Sequence, residues 1–332
     1  VKVAIVILNW NGKSLLEQFL PSIINYSSNE AAIYIADNAS TDDSVIFVKN
    51  NFPSVHILQN KENGGYAKGY NDALKNLTED LYVLLNSDVE VTENWLSPII
   101  KAFQNNPKLV AAQPKILDYK DKSHFEYAGA AGGFIDKLGY PYCRGRIFNT
   151  TEKDTGQFND NHPIFWASGA CLIVKSSSFW ESGALDETYF THQEEIDLCW
   201  RMKANGSEIY CIGSSKVYHI GGATLSASNP KKTFYNFRNS LLTLLKNHKG
   251  SSVWVLLFIR LILDGIAGVQ FIFQGKIKHC LAIIHAHFSF YRLLPFYLKK
   301  RKVHASTIKY YAIKSIVWNY FILKKRTFNN NY

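Results

Sequence analysis

The chain opens on an apolar run, VAIVIL at 3–8, that breaks at once into the polar NWNG. The figure repeats: AAIYIA (31–36) runs into DNASTDDS, 55–59 into QNKENGG, and LYVLL (81–85) into NSD. Between these runs, apolar positions recur at helical spacing near 13–25, 42–51 and 66–76. This alternation predicts βαβ crossovers and a Rossmann-like, mainly parallel sheet flanked by helices, with polar groups gathered at the carboxyl ends of the strands. From 110 to 190 the pattern loosens into Gly- and aromatic-rich loops. FWASGACLIV (165–174) then predicts a strand, THQEEIDLCWR (191–201) a helix start, EIYCI a further strand, and KVYHIGGAT a lead into a helix from about 231. After NHKG (247–250) long apolar and cationic stretches take over. The expected organisation is an α/β domain over 1–249 and a C-terminal α-helical, membrane-associating region over 250–332.

Composition sharpens that division. With 47% apolar and 19% charged residues the chain is no disordered protein. The net charge is +10, and from 250 onward 13 Lys and Arg stand against one acid, Asp264; the first 249 residues are nearly neutral. Five cysteines without a CxxC pair favour reduced thiols in a cytosolic compartment. VAIVIL is too short for a signal peptide. Residues 253–273 are long enough to span a bilayer, although Arg260 and Asp264 oppose that unless they pair at i,i+4. The mixed aromatic, aliphatic and cationic helices that follow suit the interface of an anionic membrane surface; the alternative is a helical domain or a homo-oligomer contact with a solvated basic face. No nucleic-acid motif is present, and the cations are too interleaved with apolar bulk for a phosphate track, so no nucleic-acid partner is expected.

Several polar tips are candidates for chemistry. Asp37, at the end of a strand, either holds a ribose or base, or leaves Asn38, Ser40 or Thr41 to cap the next helix. NGGYAKGYNDAL (63–74) sets two glycines before a helix whose N-terminus suits a phosphate, yet it is neither G-x-G-x-x-G nor a Walker sequence. Asp88 is either an oxygen ligand for a hard cation or a turn residue, and His219 either a ligand or an ordinary core or surface histidine. In THQEEIDLCWR, Thr191 and Glu194 fit a capping box, and Asp197 with Arg201 an i,i+4 pair. Glu195 has no such partner, and the helix dipole favours its ionised form. Elimination leaves Glu195 as a general base.

Taken in order, VAIVILNWNG, ADNASTDDS, NGGYAKGYNDAL, LLNSDVEV, WASGACLIVKSSSF, DETYFTHQEEIDLCWR, VYHIGGAT and FYNFRNSL resemble family 2 glycosyltransferases, the inverting GT-A group, particularly its rhamnosyltransferase-like members. The resemblance spans roughly residues 3–245. It implies transfer of a sugar from a nucleoside-diphosphate sugar, dTDP-rhamnose or a UDP-sugar, to a glycan acceptor, with Glu195 as catalytic base. Donor contacts are then expected from Asn9, Asn11, Asp37, Asn38, Asn63, Gly64, Gly65, Lys68, Asn86 and Ser87. Asp88 and His219 are expected to hold Mg²⁺ or Mn²⁺, and Trp166, Glu194 and Arg238 to meet the acceptor or diphosphate. Two departures stand out: Asn-Ser-Asp lacks a first carboxylate in the metal motif, and Glu-Glu replaces the commoner Glu-Asp. The basic tail suggests a lipid-linked surface-polysaccharide acceptor at the cytoplasmic face of the membrane. A non-catalytic nucleotide-sugar or glycan binder, or a nucleotidyltransferase releasing pyrophosphate, are the competing readings.

Overall fold

The computed structural model describes residues 1–221 and 228–328. The predicted alternation is present: β1 (Val3–Asn9), α1 (Lys13–Ser27), β2 (Ala32–Asp37), α2 (Ser44–Asn51), β3 (His56–Gln59), α3 (Gly65–Leu74) and β4 (Leu81–Asn86). β5 (Val89–Val91), α4 (Ser97–Asn105) and β6 (Leu109–Asp118) follow. Four short strands, β7 (Gly133–Ile135), β8 (Pro141–Cys143), β9 (Arg146–Ile147) and β10 (Thr150–Thr151), form a separate antiparallel sheet. The chain then returns through β11 (Asn161–Pro163), β12 (Cys171–Lys175), α5 (Ser176–Glu181), α6 (Glu194–Ala204) and β13 (Glu208–His219). It finishes with α7 (Pro230–Asn247), α8 (Ser252–Phe273) and α9 (Ile277–His304).

The main sheet runs β3-β2-β1-β4-β12-β6-β13-β11, with β5 also paired to β13. Strands β1 to β4 are mutually parallel, whereas β12 lies antiparallel to both β4 and β6. β1 shows why it sits in the middle: Val3, Ile5 and Ile7 join the core under α1 and α4, while Ala4 and Val6 join the core on the other face. Both faces are covered, so the run is continuously apolar.

Two sequence expectations need correction here. Residues 165–170 are an irregular approach, and the strand begins only at Cys171. EIYCI and KVYH are one strand, β13, whose pairing with β6 is broken by an irregularity between Ile212 and Lys216. The composition change at 250 does not mark a seam in the packing. Tyr310 lies 4.5 Å from the Trp200 ring, Tyr310 Oη donates to Lys137 O, and Ile316 N donates to Asp136. Residues 250–328 therefore share a core with the α/β layers.

Candidate active site

The pairing of β5 with β13 builds the first part of the site. Ser87 and Asp88 form the two-residue turn between β4 and β5, and the register sets Val89 opposite His219. Asp88 Oδ1 and His219 Nε2 thereby meet at 3.1 Å, both nearly buried. Asn86 Nδ2 lies 3.4 Å from the same nitrogen. Glu126 stands 3.3 Å from His219 Nδ1, too far off line for a hydrogen bond. Burial disfavours the imidazolium, but Asp88 and Glu126 outweigh it and raise His219 to about 10. A buried carboxylate and imidazole that converge on one point, with a second carboxylate beside the far ring nitrogen, suit a divalent cation whose other ligands come from outside the chain. Two ligands at about 2.1 Å from one ion and at right angles lie about 3 Å apart, which the observed pair matches. Asp88 and His219 therefore fit a divalent ion, while Glu126 carries no local sequence signal at all. The stretch 222–224 of VYHIGGAT lies outside the described residues.

The second part is the loop network at the tips of β1 and β2. Asp37 is fully buried and accepts from Asn9 Nδ2 (2.8 Å), Ser40 N (2.9 Å), Ser40 Oγ (2.6 Å) and Gln59 Nε2 (2.8 Å). Burial opposes its charge, yet these donors prevail and its carboxyl is held below the ordinary range. Asp37 thus shapes the loop from within. Asn11 Oδ1 accepts from Thr41 N at 2.7 Å, and Asn38 links Gly65 O to Asn60. Trp10, between the two asparagines, is 51% exposed and presents an open indole at the strand tips. A large aromatic in a polar tip was its signal.

The helix N-terminus expected to receive a phosphate is already filled. Tyr66 N and Ala67 N donate to Phe190 O, and Gly65 N to Asn63 Oδ1. Gly65 has φ +79°, and a Cβ there would lie 2.5 Å from Phe190 O, so only glycine admits this contact. Gly65, Tyr66 and Ala67 dock α3 onto the loop before α6 while Asn63 accepts from Gly65, so this N-terminus is not open to an anion. Lys68, paired with Asp72 and Glu62, remains partly exposed.

That loop aims the acidic pair. The expected capping box is absent: α6 starts at Glu194 after Gln193 in a left-handed conformation, with no side-chain cap. Phe190, His192 and Gln193 all have positive φ (64°, 69° and 75°). Such backbone costs of order 1–3 kcal/mol per residue and persists only where surroundings enforce it. Asn239 Nδ2 does so, donating to Tyr189 O (3.1 Å), Thr191 O (2.9 Å) and His192 O (2.7 Å). Arg238 adds bonds to Thr188 O and Tyr189 O at 3.0 and 3.1 Å. Arg238 is therefore a framework residue of this loop, which corrects its assignment to the acceptor or diphosphate. Trp166 is corrected too: it is 4% exposed, packs against Gly133 and donates to Phe134 O, leaving no face for a sugar. Asn239→Ala is expected to lower kcat about 100-fold through misplacement of the acidic pair. Unchanged donor affinity and a retained thermal transition, measured alongside, separate this from unfolding.

Glu194 is buried, and its Oε2 has no hydrogen-bond partner among the described residues. Burial, then the neighbouring Glu195, push its carboxyl well above the usual range. Glu195 is partly open yet surrounded by protein. Burial lifts it to about 7 against the opposing backbone amides at the helix start. Desolvation exceeds the helix dipole here, so the Glu195 carboxyl is raised where the dipole alone predicts it lowered. Tyr66 ties the two halves together: its phenol donates to Gly169 O, lies within electrostatic reach of both glutamates, and the next carbonyl, Ala170 O, accepts from Asn86 N.

Fold and site together define an α/β group-transfer enzyme working at the carboxyl edge of its sheet. The family profile of glycosyl transferase family 2 matches residues 4–183, and the chain belongs to that family; it is an inverting glycosyltransferase of rhamnosyltransferase-like type. It is 27% identical over 226 residues to N-acetylglucosaminyl-diphospho-decaprenol L-rhamnosyltransferase of Mycobacterium tuberculosis, covering 63% of this chain and 73% of that one. The low-salt glycan biosynthesis hexosyltransferase Agl10 of Haloferax volcanii is 21% identical, covering 72% and 74%. S. aureus TarS 1–349 in complex with UDP-GlcNAc superposes with TM-score 0.58 at 13% identity, covering 91% of this chain and 88% of that one. GalNAc-T7 with UDP, GalNAc and Mn²⁺ gives TM-score 0.58 at 16% identity; it matches 74% of this chain, which spans about half (48%) of that protein. These structures establish the GT-A fold.

Proposed function

We propose that the protein transfers a sugar, by single displacement, from a nucleoside-diphosphate sugar to a hydroxyl of a lipid-linked glycan acceptor at the cytoplasmic face of a membrane. The observation that carries this is the division of the site into two chemistries. A buried Asp88–His219 pair suits Mg²⁺ or Mn²⁺, and a glutamate raised to about 7 opens α6. In this reading Glu195 takes the proton from the acceptor hydroxyl as its oxygen attacks the anomeric carbon, and the nucleoside diphosphate departs from the opposite face. Asp88 and His219 would hold the divalent ion, which would supply charge neutralisation for the departing diphosphate. Trp10 offers its exposed face to the base, on the loop that Asn9, Asn11, Asp37 and Asn38 shape. Asn86, Ser87 and Lys68 are the further donor contacts of this reading. Glu194, whose carboxyl burial and Glu195 push up, adjoins Glu195 in the chain and backs it from the protein side. The Mycobacterium relative supports rhamnose as the sugar and a prenyl-diphosphate-linked acceptor; the TarS complex supports UDP-sugars as the next donors.

A donor panel with Mn²⁺ or Mg²⁺ tests this. Nucleoside-diphosphate release, greatest with dTDP-rhamnose and abolished by chelation, is expected. Release of pyrophosphate, or binding without release from any donor, would overturn it.

A further inference from the structure

The helices after residue 250 leave a large surface unexplained by catalysis. α8 is 22 residues long with mean hydropathy 2.0, yet only 28% of its apolar window is buried within the protein. Its outward stripe of Val255, Phe258, Ile262, Ile266, Val269 and Phe273 is 51–87% exposed. After the turn at Gly275, α9 continues the surface with Ile277, Leu281, Ile284 and Phe288, Phe288 being 70% exposed. Both stripes recur every three to four residues, so each is one helix face.

We infer that the outer face of the α8–α9 hairpin lies flat in one leaflet of an anionic bilayer, with neither helix crossing it. The inner face rules out crossing. Arg260, on the buried face of α8, donates to Leu138 O (2.9 Å) and Ser240 Oγ (2.7 Å), and stacks 3.8 Å from the Tyr140 ring. Asp264 is fully buried and meets Tyr140 Oη and His287, each at 3.2 Å. For α8 to span, it would have to abandon these bonds and carry both ions into hydrocarbon. Lying in the plane keeps them and still buries the outer stripe over about 33 Å of helix.

Charge selects lipid over a second copy of the chain. Beyond residue 250 there are 13 Lys and Arg and one acid, and that acid is the buried Asp264. Lys276 and Lys278 at the hairpin turn, and Arg292 and Lys299 further along α9, are exposed. Two such faces brought together would repel, whereas anionic headgroups are attracted to each cation. The inference rests on the proposed lipid-linked acceptor for its purpose and names the surface on which that acceptor is met.

The test is flotation of the full chain with vesicles of phosphatidylglycerol and phosphatidylcholine. Wild type is expected to float with them, and less so at high salt. The triple variant Phe258→Glu, Ile262→Glu, Phe288→Glu is expected to lose at least about 100-fold in partitioning while binding UDP and Mn²⁺ as wild type does. In Ile262→Trp, the added fluorescence should be quenched best by lipids brominated near the carbonyl. Best quenching by bromine near the chain ends would show that α8 crosses. Undiminished flotation of the triple variant, or a wild-type dimer that the variant dissociates with no change in flotation, would overturn the inference. Normal flotation without sugar transfer would instead count against the proposed function alone.

Discussion

Asp197→Ala is expected to destabilise the fold by about 3–5 kcal/mol, seen as a lower urea midpoint at unchanged slope. Asp197 is fully buried, and its Oδ2 accepts from Arg201 Nε and Nη2 (3.0 and 2.8 Å) and Lys246 Nζ (2.8 Å). Its Oδ1 accepts from Asn247 Nδ2 at 2.8 Å. Lys246 continues to Asp186 at 2.9 Å, and Asp186 to Lys300 at 2.6 Å, so a single ionic chain ties α6, α7 and α9. Alanine would leave Arg201 buried and charged without its carboxylate and Lys246 with Asp186 alone, which is why the loss is a large part of a typical 5–15 kcal/mol. Burial raises the Asp197 carboxyl, but Arg201 and Lys246 overcome this and hold it low. Its contribution is therefore present above the ordinary Asp range and lost as pH falls below it. Adding Arg201→Met to Asp197→Ala should recover part of the loss, because it removes the charge left without a carboxylate. A loss under about 1 kcal/mol would mean the network is no stronger than a surface pair.

Glu195→Gln is expected to leave donor binding intact and reduce transfer by about 10²–10⁴, the worth of a positioned general base. The wild-type kcat should rise with pH through about 7, where Glu195 becomes ionised. The stability consequence has the opposite sign. Because the folded value lies above the ordinary 4.5, the folded state holds a proton that the unfolded chain has released between 4.5 and about 7. The stabilisation from this group is complete at low pH and lost as pH rises through about 7. Glutamine, which never ionises, should therefore melt at a higher temperature than wild type at pH above 7. Greater stability with less activity is the signature of a strained catalytic group.

The readable parts of the sequence were those whose signal is local. β1, β2 and β4 are unbroken apolar runs with polar tips, and their ends agree with the expected ones to within a residue or two. The pairing of Asp197 with Arg201 follows from helical spacing and is present. What local pattern misjudged was competition from distant groups. Thr191 was a reasonable cap until Asn239, 48 residues on, drew its carbonyl into a left-handed loop. The start of α3 resembled an anion site until Phe190 O occupied it. Glu126 and Asn239 act wholly through contacts made by folding, with His219 and residues 189–192. The expected boundary at 250 reflected a change of surface chemistry, which a composition profile detects, and the continuous packing beneath it is invisible to such a profile.

The most direct test of the central claim is a single-turnover measurement on enzyme preloaded with nucleotide sugar and divalent metal, mixed rapidly with acceptor. One equivalent of nucleoside diphosphate per wild-type site is expected, and almost none from Glu195→Gln over the same interval, with equal donor bound before mixing. Equal bursts from the two proteins would contradict it.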